Sequence, residues 1–190
     1  MDTNIYDLDQ ALSRLSNNKI IVLDLETNGL NELDSVLSCA AIKYEYSPSQ
    51  HELTAADRFL RYYFSKEPEN PEAIRINGLT REVISEKRSN NNWPQYFADD
   101  EDFRDFCADT DLFVAHNISF DSKFVPFIKN RKMFCTMKSN TQYFFGKYPK
   151  LVELAAFLNL NYYRSSFHDS AYDAEITGQI LQKMIHLLTK

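Results

Sequence analysis

One run limits what this chain can fold into: Ile20-Ile21-Val22-Leu23-Asp24-Leu25-Glu26-Thr27. Residues 19–26 are β-branched or apolar at nearly every position, which marks a strand covered on both faces. Asp24 and Glu26 interrupt that pattern. Side chains two apart on a strand share a face at ~6.8 Å spacing, so these acids project together, with Val22 on the same side. Like charges side by side on a central strand are costly without a counter-ion. Either the strand ends in solvent at these acids, or something positive joins them.

The rest of the chain supplies a sheet for this strand and helices to cover it. Leu8, Leu12 and Leu15 stand at helical spacing and predict a short helix within residues 5–17. Asn28-Gly29 is a turn signal, and residues 35–46 and 57–64 read as two further strands of an antiparallel meander. Pro71 opens a short helix that ends near Asn77-Gly78, and Thr80 caps the next, through about Glu86. Another helix is expected from Trp93-Pro94 to about Ala108. Residues 112–115 and 133–136 complete the strands. Helices follow at about 119–129, shortened or kinked by Pro126, and at about 137–145, 150–158 and 170–188. A meander followed by alternating strands and helices predicts an α/β chain: a five-stranded mixed sheet flanked by helices, in one domain over residues 1–190.

Asp121 falls in helical register with Phe124, Val125 and Ile128, and Asp173 with Ile176, Ile180 and Met184. Each acid heads a buried stripe near the start of a helix. The positive end of a helix dipole explains one such placement, but it gives an acid no reason to choose the buried stripe. His168 precedes Asp173 by five residues, ~140° apart on a helix, so His168 is expected in the loop before it, with Asp169 or Ser170 as cap. A loop histidine beside carboxylates suits a general base that activates water. His116 follows a buried strand and is read as holding its loop, while His51 and His186 are read as surface residues.

Composition removes some classes. No apolar run reaches ~18 residues, and the acidic stretch 1–7 lacks the apolar core of a signal peptide, so a cytoplasmic chain with no membrane contact is expected. Cys39, Cys107 and Cys135 are odd in number and widely spaced, which predicts buried, reduced thiols. A net charge of −6 argues against a generic nucleic-acid coat protein. It leaves room for an enzyme that meets phosphate through bound metal, where the acids are ligands and the ion carries the local positive charge.

Three motifs now stand in order. Asp24-x-Glu26-Thr27-x-Gly29-Leu30 resembles the first motif of the DnaQ-like, DEDDh-type 3′–5′ exonucleases. Ala115-His116-Asn117-x-x-Phe120-Asp121 resembles the second, and His168-x4-Asp173-Ala174-Glu175 the third. One motif is weak; three in order on the expected elements are strong. The resemblance spans roughly residues 19–188 and implies an RNase H-like fold. It implies two Mg²⁺ ions, replaceable by Mn²⁺, on Asp24, Glu26, Asp121 and Asp173, with His168 as the base. By the same resemblance Thr27 and Leu30 hold the terminal nucleotide and Asn117 supports the site. Two ions ~4 Å apart would clamp the scissile phosphate, one activating water and one stabilising the leaving oxygen. One departure stands out: in Ile76-Asn77-Gly78-Leu79-Thr80, Asn77 occupies the place of a family histidine.

The expected activity is therefore release of nucleoside 5′-monophosphates from 3′ ends, with single-stranded DNA as the expected substrate. RNA trimming resembling RNase T shares these motifs. A non-catalytic docking module of a polymerase assembly is the rival from another class, although a scaffold has no use for costly buried acids. A DNA polymerase subunit is a candidate partner, and the chain's stop soon after its last helix favours a stand-alone nuclease slightly. Aromatics make up 14% of residues; Phe113, Phe124 and Phe157 lie in apolar patterns and are assigned to the core. Lys129, Arg131, Lys132, Lys138, Lys147 and Lys150 form a basic stretch that either guides a nucleic-acid backbone or is ordinary surface charge.

Overall fold

The computed structural model describes residues 4–5 and 7–188, and across them the chain runs through six strands and eight α-helices. In order these are β1 (Asn4–Ile5), α1 (Leu8–Ser13), β2 (Lys19–Thr27), β3 (Val36–Ser47), β4 (Glu52–Tyr62), α2 (Pro71–Asn77), α3 (Arg81–Lys87), α4 (Glu101–Cys107), β5 (Leu112–Ala115), α5 (Ile118–Phe124), β6 (Lys132–Cys135), α6 (Thr136–Ser139), α7 (Leu151–Phe157) and α8 (Ser170–Leu188). They form one mixed sheet in the order β1-β6-β5-β2-β3-β4. The five expected strands are all present, and the two-residue β1 adds a parallel edge to β6. β2 pairs antiparallel with β3 and parallel with β5, and β3 pairs antiparallel with β4.

The pairing of β2 shapes the site. Only Ile20, Ile21 and Val22 have partners on β5, so the strand outruns that neighbour just before Asp24. On its other side Asp24 lies opposite Ala40 and Glu26 opposite Ser38, and the register shifts between Glu26 and Thr27. The two acids thus stand where one side of the strand has been left open. Small residues face them on the other.

The period-2 pattern of β2 divides its apolar residues between two layers. Ile21, Leu23 and Leu25 pack with Phe103, Phe113 and Phe124 beneath α4 and α5. Ile20 and Val22 pack with Leu112, Val114, Ala174 and Leu181 beneath α8. Burial of each such large side chain stabilises the fold by about 1.5–3 kcal/mol. Asp24 and Glu26 share the α8 side with Val22, as the spacing predicts. Gly178 allows that helix to lie close: a Cβ there would stand 2.3 Å from the Tyr44 hydroxyl oxygen.

The helix-start signals at Pro71 and Thr80 hold, with Thr80 accepting from Val83 N–H; the structure adds Asn70 as the cap before Pro71, accepting from Glu72 N–H. Elsewhere the sequence reading needs correction. The leading helix is shorter than 5–17 because Ile5 belongs to a strand, though Leu8, Leu12 and Leu15 do face one core cluster. β4 begins at Glu52, five residues before its expected start at 57. The helix expected from residue 93 is extended chain and a 3-10 turn at Phe97–Asp99, with α4 starting at Glu101. Arg88 donates to the Trp93 and Pro94 carbonyls and Phe64 N–H donates to Gln95, so partners outside the segment take the carbonyls a first helical turn would need. Residues 137–145 split into the short α6 and a 3-10 turn at Thr141–Phe144. Pro126 ends α5 as expected, with a 3-10 turn following. The reading of stretch 1–7 as no targeting segment falls partly outside the described residues, at 1–3 and 6, as does the end of the 1–190 domain at 189–190.

Candidate active site

Each element delivers one part of an acidic cluster at the carboxyl end of the parallel strands. β2 carries Asp24 and Glu26, both half-buried. β5 ends at Ala115, and α5 then presents Asp121, only 3% exposed, in its first turn. The Asp121 carboxylate accepts from its own N–H and from that of Leu25, which fixes it against β2. α8 brings Asp173, 7% exposed, from the opposite direction. Asp169 caps α8, its Oδ1 accepting from Ala171 and Tyr172 N–H at 3.0 and 3.1 Å. His168 therefore sits outside the helix, exposed, with a left-handed backbone at φ 69°.

Glu26, His168 and Asp173 each offer a ligand atom, and these atoms lie within 4.8 Å of one another. Asp173 Oδ2 accepts from His168 N–H at 3.1 Å. Asp173 Oδ1 is buried and has no hydrogen-bond partner among the described residues.

The electrostatics follow from this crowding. Burial pushes Asp24 well above the carboxylate range, and Asp121, Asp173, Glu26 and Asp169 add repulsion. Burial raises Glu26 to about 8, with Asp173 the next largest influence and a hydrogen bond from Asn77 opposing the rise. Burial also lifts Asp121 and Asp173 to about 7, against the backbone N–H groups that each accepts. The largest charge effects on Asp24 and Glu26 come from other carboxylates. Among the described residues no ion pair to these four acids balances the cluster, so protonation or a bound positive ion would relieve it.

A family model described as an exonuclease matches residues 21–181. The chain belongs to the exonuclease family. The epsilon subunit of DNA polymerase III from Haemophilus influenzae is 24% identical to the enzyme over 188 residues, covering 88% of this chain and 67% of that protein. The PolC-type DNA polymerase III of Bacillus subtilis is 26% identical over 208 residues, covering 97% of this chain and 13% of the polymerase. Among solved structures, exonuclease X in complex with 5′-overhanging duplex DNA matches with a TM-score of 0.65 at 22% identity, covering 90% of this chain and 93% of that one. E. coli exonuclease I in complex with a dT13 oligonucleotide matches with a TM-score of 0.67 at 15% identity, covering 90% and 43%. These likenesses establish the fold. By the family match the enzyme is an exonuclease, and its three motifs resemble those of the DEDDh type, a class that implies a divalent metal.

The residues singled out in the enzyme's sequence separate into two groups. Asp24, Glu26, Asp121, His168 and Asp173 converge at one end of the sheet. Of the others, Thr27 is buried and donates to the Gly29 carbonyl at 2.6 Å, while Leu30 is 75% exposed beside them. The Asn117 side chain is exposed and makes no cap hydrogen bond; its carbonyl accepts from Phe120 and Asp121 N–H. His116 holds its loop: its ring nitrogens meet Thr136 Oγ1 at 3.0 Å and the Pro149 carbonyl at 2.9 Å, and burial lowers it to about 4, which keeps it neutral.

Asn77, seen in the sequence only as a departure, proves to be in contact with the site. Its amide hydrogen-bonds Glu26 and donates to the Thr27 carbonyl at 3.2 Å, while its Oδ1 accepts from Leu79 N–H. No local pattern links residue 77 to residue 26; the contact exists only after α2 folds over the end of β2. Asp169 was legible as a cap but not as a fifth negative charge beside the cluster.

Proposed function

We propose that the enzyme removes nucleoside 5′-monophosphates from the 3′ end of DNA, using two Mg²⁺ ions held by Asp24, Glu26, Asp121 and Asp173. The unpartnered, buried Oδ1 of Asp173 carries this reading. An oxygen left without a donor in a crowd of carboxylates fits a hard divalent cation, and the all-carboxylate donor set suits Mg²⁺ or Mn²⁺. When bound, such ions polarise a phosphoryl oxygen and lower the pKa of a coordinated water.

The remaining chemistry belongs to this chain's residues. His168, on its exposed loop, takes the proton of the attacking water as that oxygen adds to phosphorus and the bond to the 3′-oxygen breaks. Asp173 orients the loop by accepting His168 N–H. Asn77 steadies Glu26 from the far side. Thr27, Leu30 and Asn117 border the cluster and receive the terminal nucleotide, Leu30 offering an exposed apolar face to the base. Similarity to DNA polymerase III subunits supports DNA over RNA, a cytoplasmic setting and a polymerase as partner. Among the described residues no helix is long and apolar enough to cross a membrane.

The test uses 3′- and 5′-labelled DNA and RNA oligonucleotides with Mg²⁺, Mn²⁺ or chelator. Stepwise shortening from the 3′ end of DNA, only with metal, is the expected result. Preference for RNA would move the enzyme to a trimming role, and internal cuts or none would overturn the proposal.

A further inference from the structure

A second surface lies beside the acid cluster. Residues 122–168 hold eight Lys or Arg and a single acid, Glu153, within a chain of net charge −6. In this basic stretch Tyr143, Phe145, Tyr148 and Phe157 are exposed. Phe157 thus does not enter the core as its apolar pattern predicts; it is half-exposed and stacks on Tyr143, with ring centroids 5.6 Å apart. Lys147 and Lys150 are exposed in the same segment, Lys147 pairing with Glu153 at 3.0 Å.

Phe145 is the most telling of them. It is fully exposed, and its backbone is left-handed at φ 53°, followed by Gly146 at φ 82°. Among the described residues the five other non-glycine positions of this kind are Asn or His, the types that tolerate it. The chain holds a large apolar ring in water on an unfavourable backbone, with no packing gained within the fold. Such strain concentrates where a surface meets a ligand.

The fold puts this surface at the site. The segment follows β6 and so leaves the sheet at the same end as Glu26 and Asp121. Phe144 packs in one cluster with Phe167 and Tyr172, the residues flanking His168 and Asp173. Pro149 is fastened by His116, next to Asn117, at 2.9 Å.

We propose that Tyr143, Phe145, Tyr148 and Phe157, with Lys147 and Lys150, form a stacking platform for the single-stranded nucleic acid lying 5′ of the nucleotide being removed. The inference rests on the exonuclease reading of the acid cluster and extends it. Bases of any sequence present a π-face to such rings, and the lysines complement the phosphates, whereas the rest of this acidic chain repels them.

The test compares the parent enzyme with the double variant Phe145→Ala, Tyr148→Ala. Hydrolysis is measured with Mg²⁺ on an oligothymidylate of roughly 15 nucleotides and on a thymidine dinucleotide, which is too short to span both surfaces. Binding of the long oligomer is followed by fluorescence anisotropy with Ca²⁺ in place of Mg²⁺. In the double variant KM and Kd for the long oligomer rise on the order of tenfold or more, with kcat and dinucleotide hydrolysis unchanged. Phe145→Trp, which keeps a ring, retains the parent values. Unchanged KM and Kd on the long oligomer overturn the platform and leave a protein partner as its occupant. An equal loss on both substrates also overturns it, by assigning the rings a structural role. If the parent cleaves neither substrate, the reading of the acid cluster fails, and the anisotropy alone decides the platform on the same terms.

Discussion

Asp100 and Asp173 are each 7% exposed, yet their surroundings are opposite. Asp100 receives the Arg61 guanidinium on both oxygens at 2.9 Å and the Tyr63 hydroxyl at 2.7 Å. Its charge is balanced inside the fold, and it anchors α4 to β4. Asp173 has one backbone N–H on Oδ2, nothing on Oδ1, and other acids around it. Burial alone therefore does not mark a functional acid in this enzyme. Under the proposed function, what marks Asp173 is burial without an internal partner, because selection for stability alone would have supplied one or removed the charge.

The comparison breaks first at Asp173→Ala. Hydrolysis should fall on the order of a thousandfold or more, metal affinity should weaken, and the melting temperature in chelator should not drop. Near-normal nuclease activity in that variant would sink the assignment. His168→Gln should lower kcat by ~10²–10⁴ while leaving calorimetric metal binding in place, as expected of a proton acceptor. A parallel loss of metal affinity would instead make His168 a ligand.

On the structural side, Arg61→Ala should cost about 2–3 kcal/mol of stability, since Asp100 is left buried and the partly exposed arginine limits the loss. Chemical denaturation reads this, and metal affinity of the folded fraction should stay unchanged.

The smallest effect is on pH dependence. Glu26 at about 8, and Asp121 and Asp173 at about 7, stay protonated in the folded enzyme where the unfolded chain has already released its protons. Folded-state proton binding then exceeds that of the unfolded state from about pH 4 to 8, so stability falls as pH rises through that window. In chelator the melting temperature should be on the order of 5–10 °C higher at pH 5 than at pH 8, and Mg²⁺ should raise the value at pH 8. Equal melting at both pH values would mean that the acids do not carry raised pKa values.

The site was legible in the sequence where local periodicity controls side-chain direction. Two acids on one face of β2, Asp121 and Asp173 on buried stripes, and His168 outside α8 all follow from strand and helix geometry. The helix starts at Pro71, Thr80 and Asp169 are equally local. What stayed hidden depends on distant partners. Arg88 and Phe64 hold residues 93–95 out of a helix, Asn77 reaches Glu26 only through the docking of α2, and Phe157 leaves the core because Tyr143 meets it on the outside. The β5 pairing that stops at Val22 has no sequence signature either, and it is what opens the side of β2 where the acids stand.

The close seat of α8 at Gly178 has a consequence for how activity can be tuned. Asp173 lies five residues back along the same helix, ~7.5 Å away. The Tyr44 hydroxyl fills the space that a Cβ at 178 would need, so the glycine lets α8 lie this close to β3. A methyl group at 178 would press on the Tyr44 hydroxyl, so either that ring or α8 must give way, and Tyr44→Phe would remove the oxygen it meets. Where α8 gives way, the spacing between Asp173 and Glu26 changes from a point remote from both carboxylates.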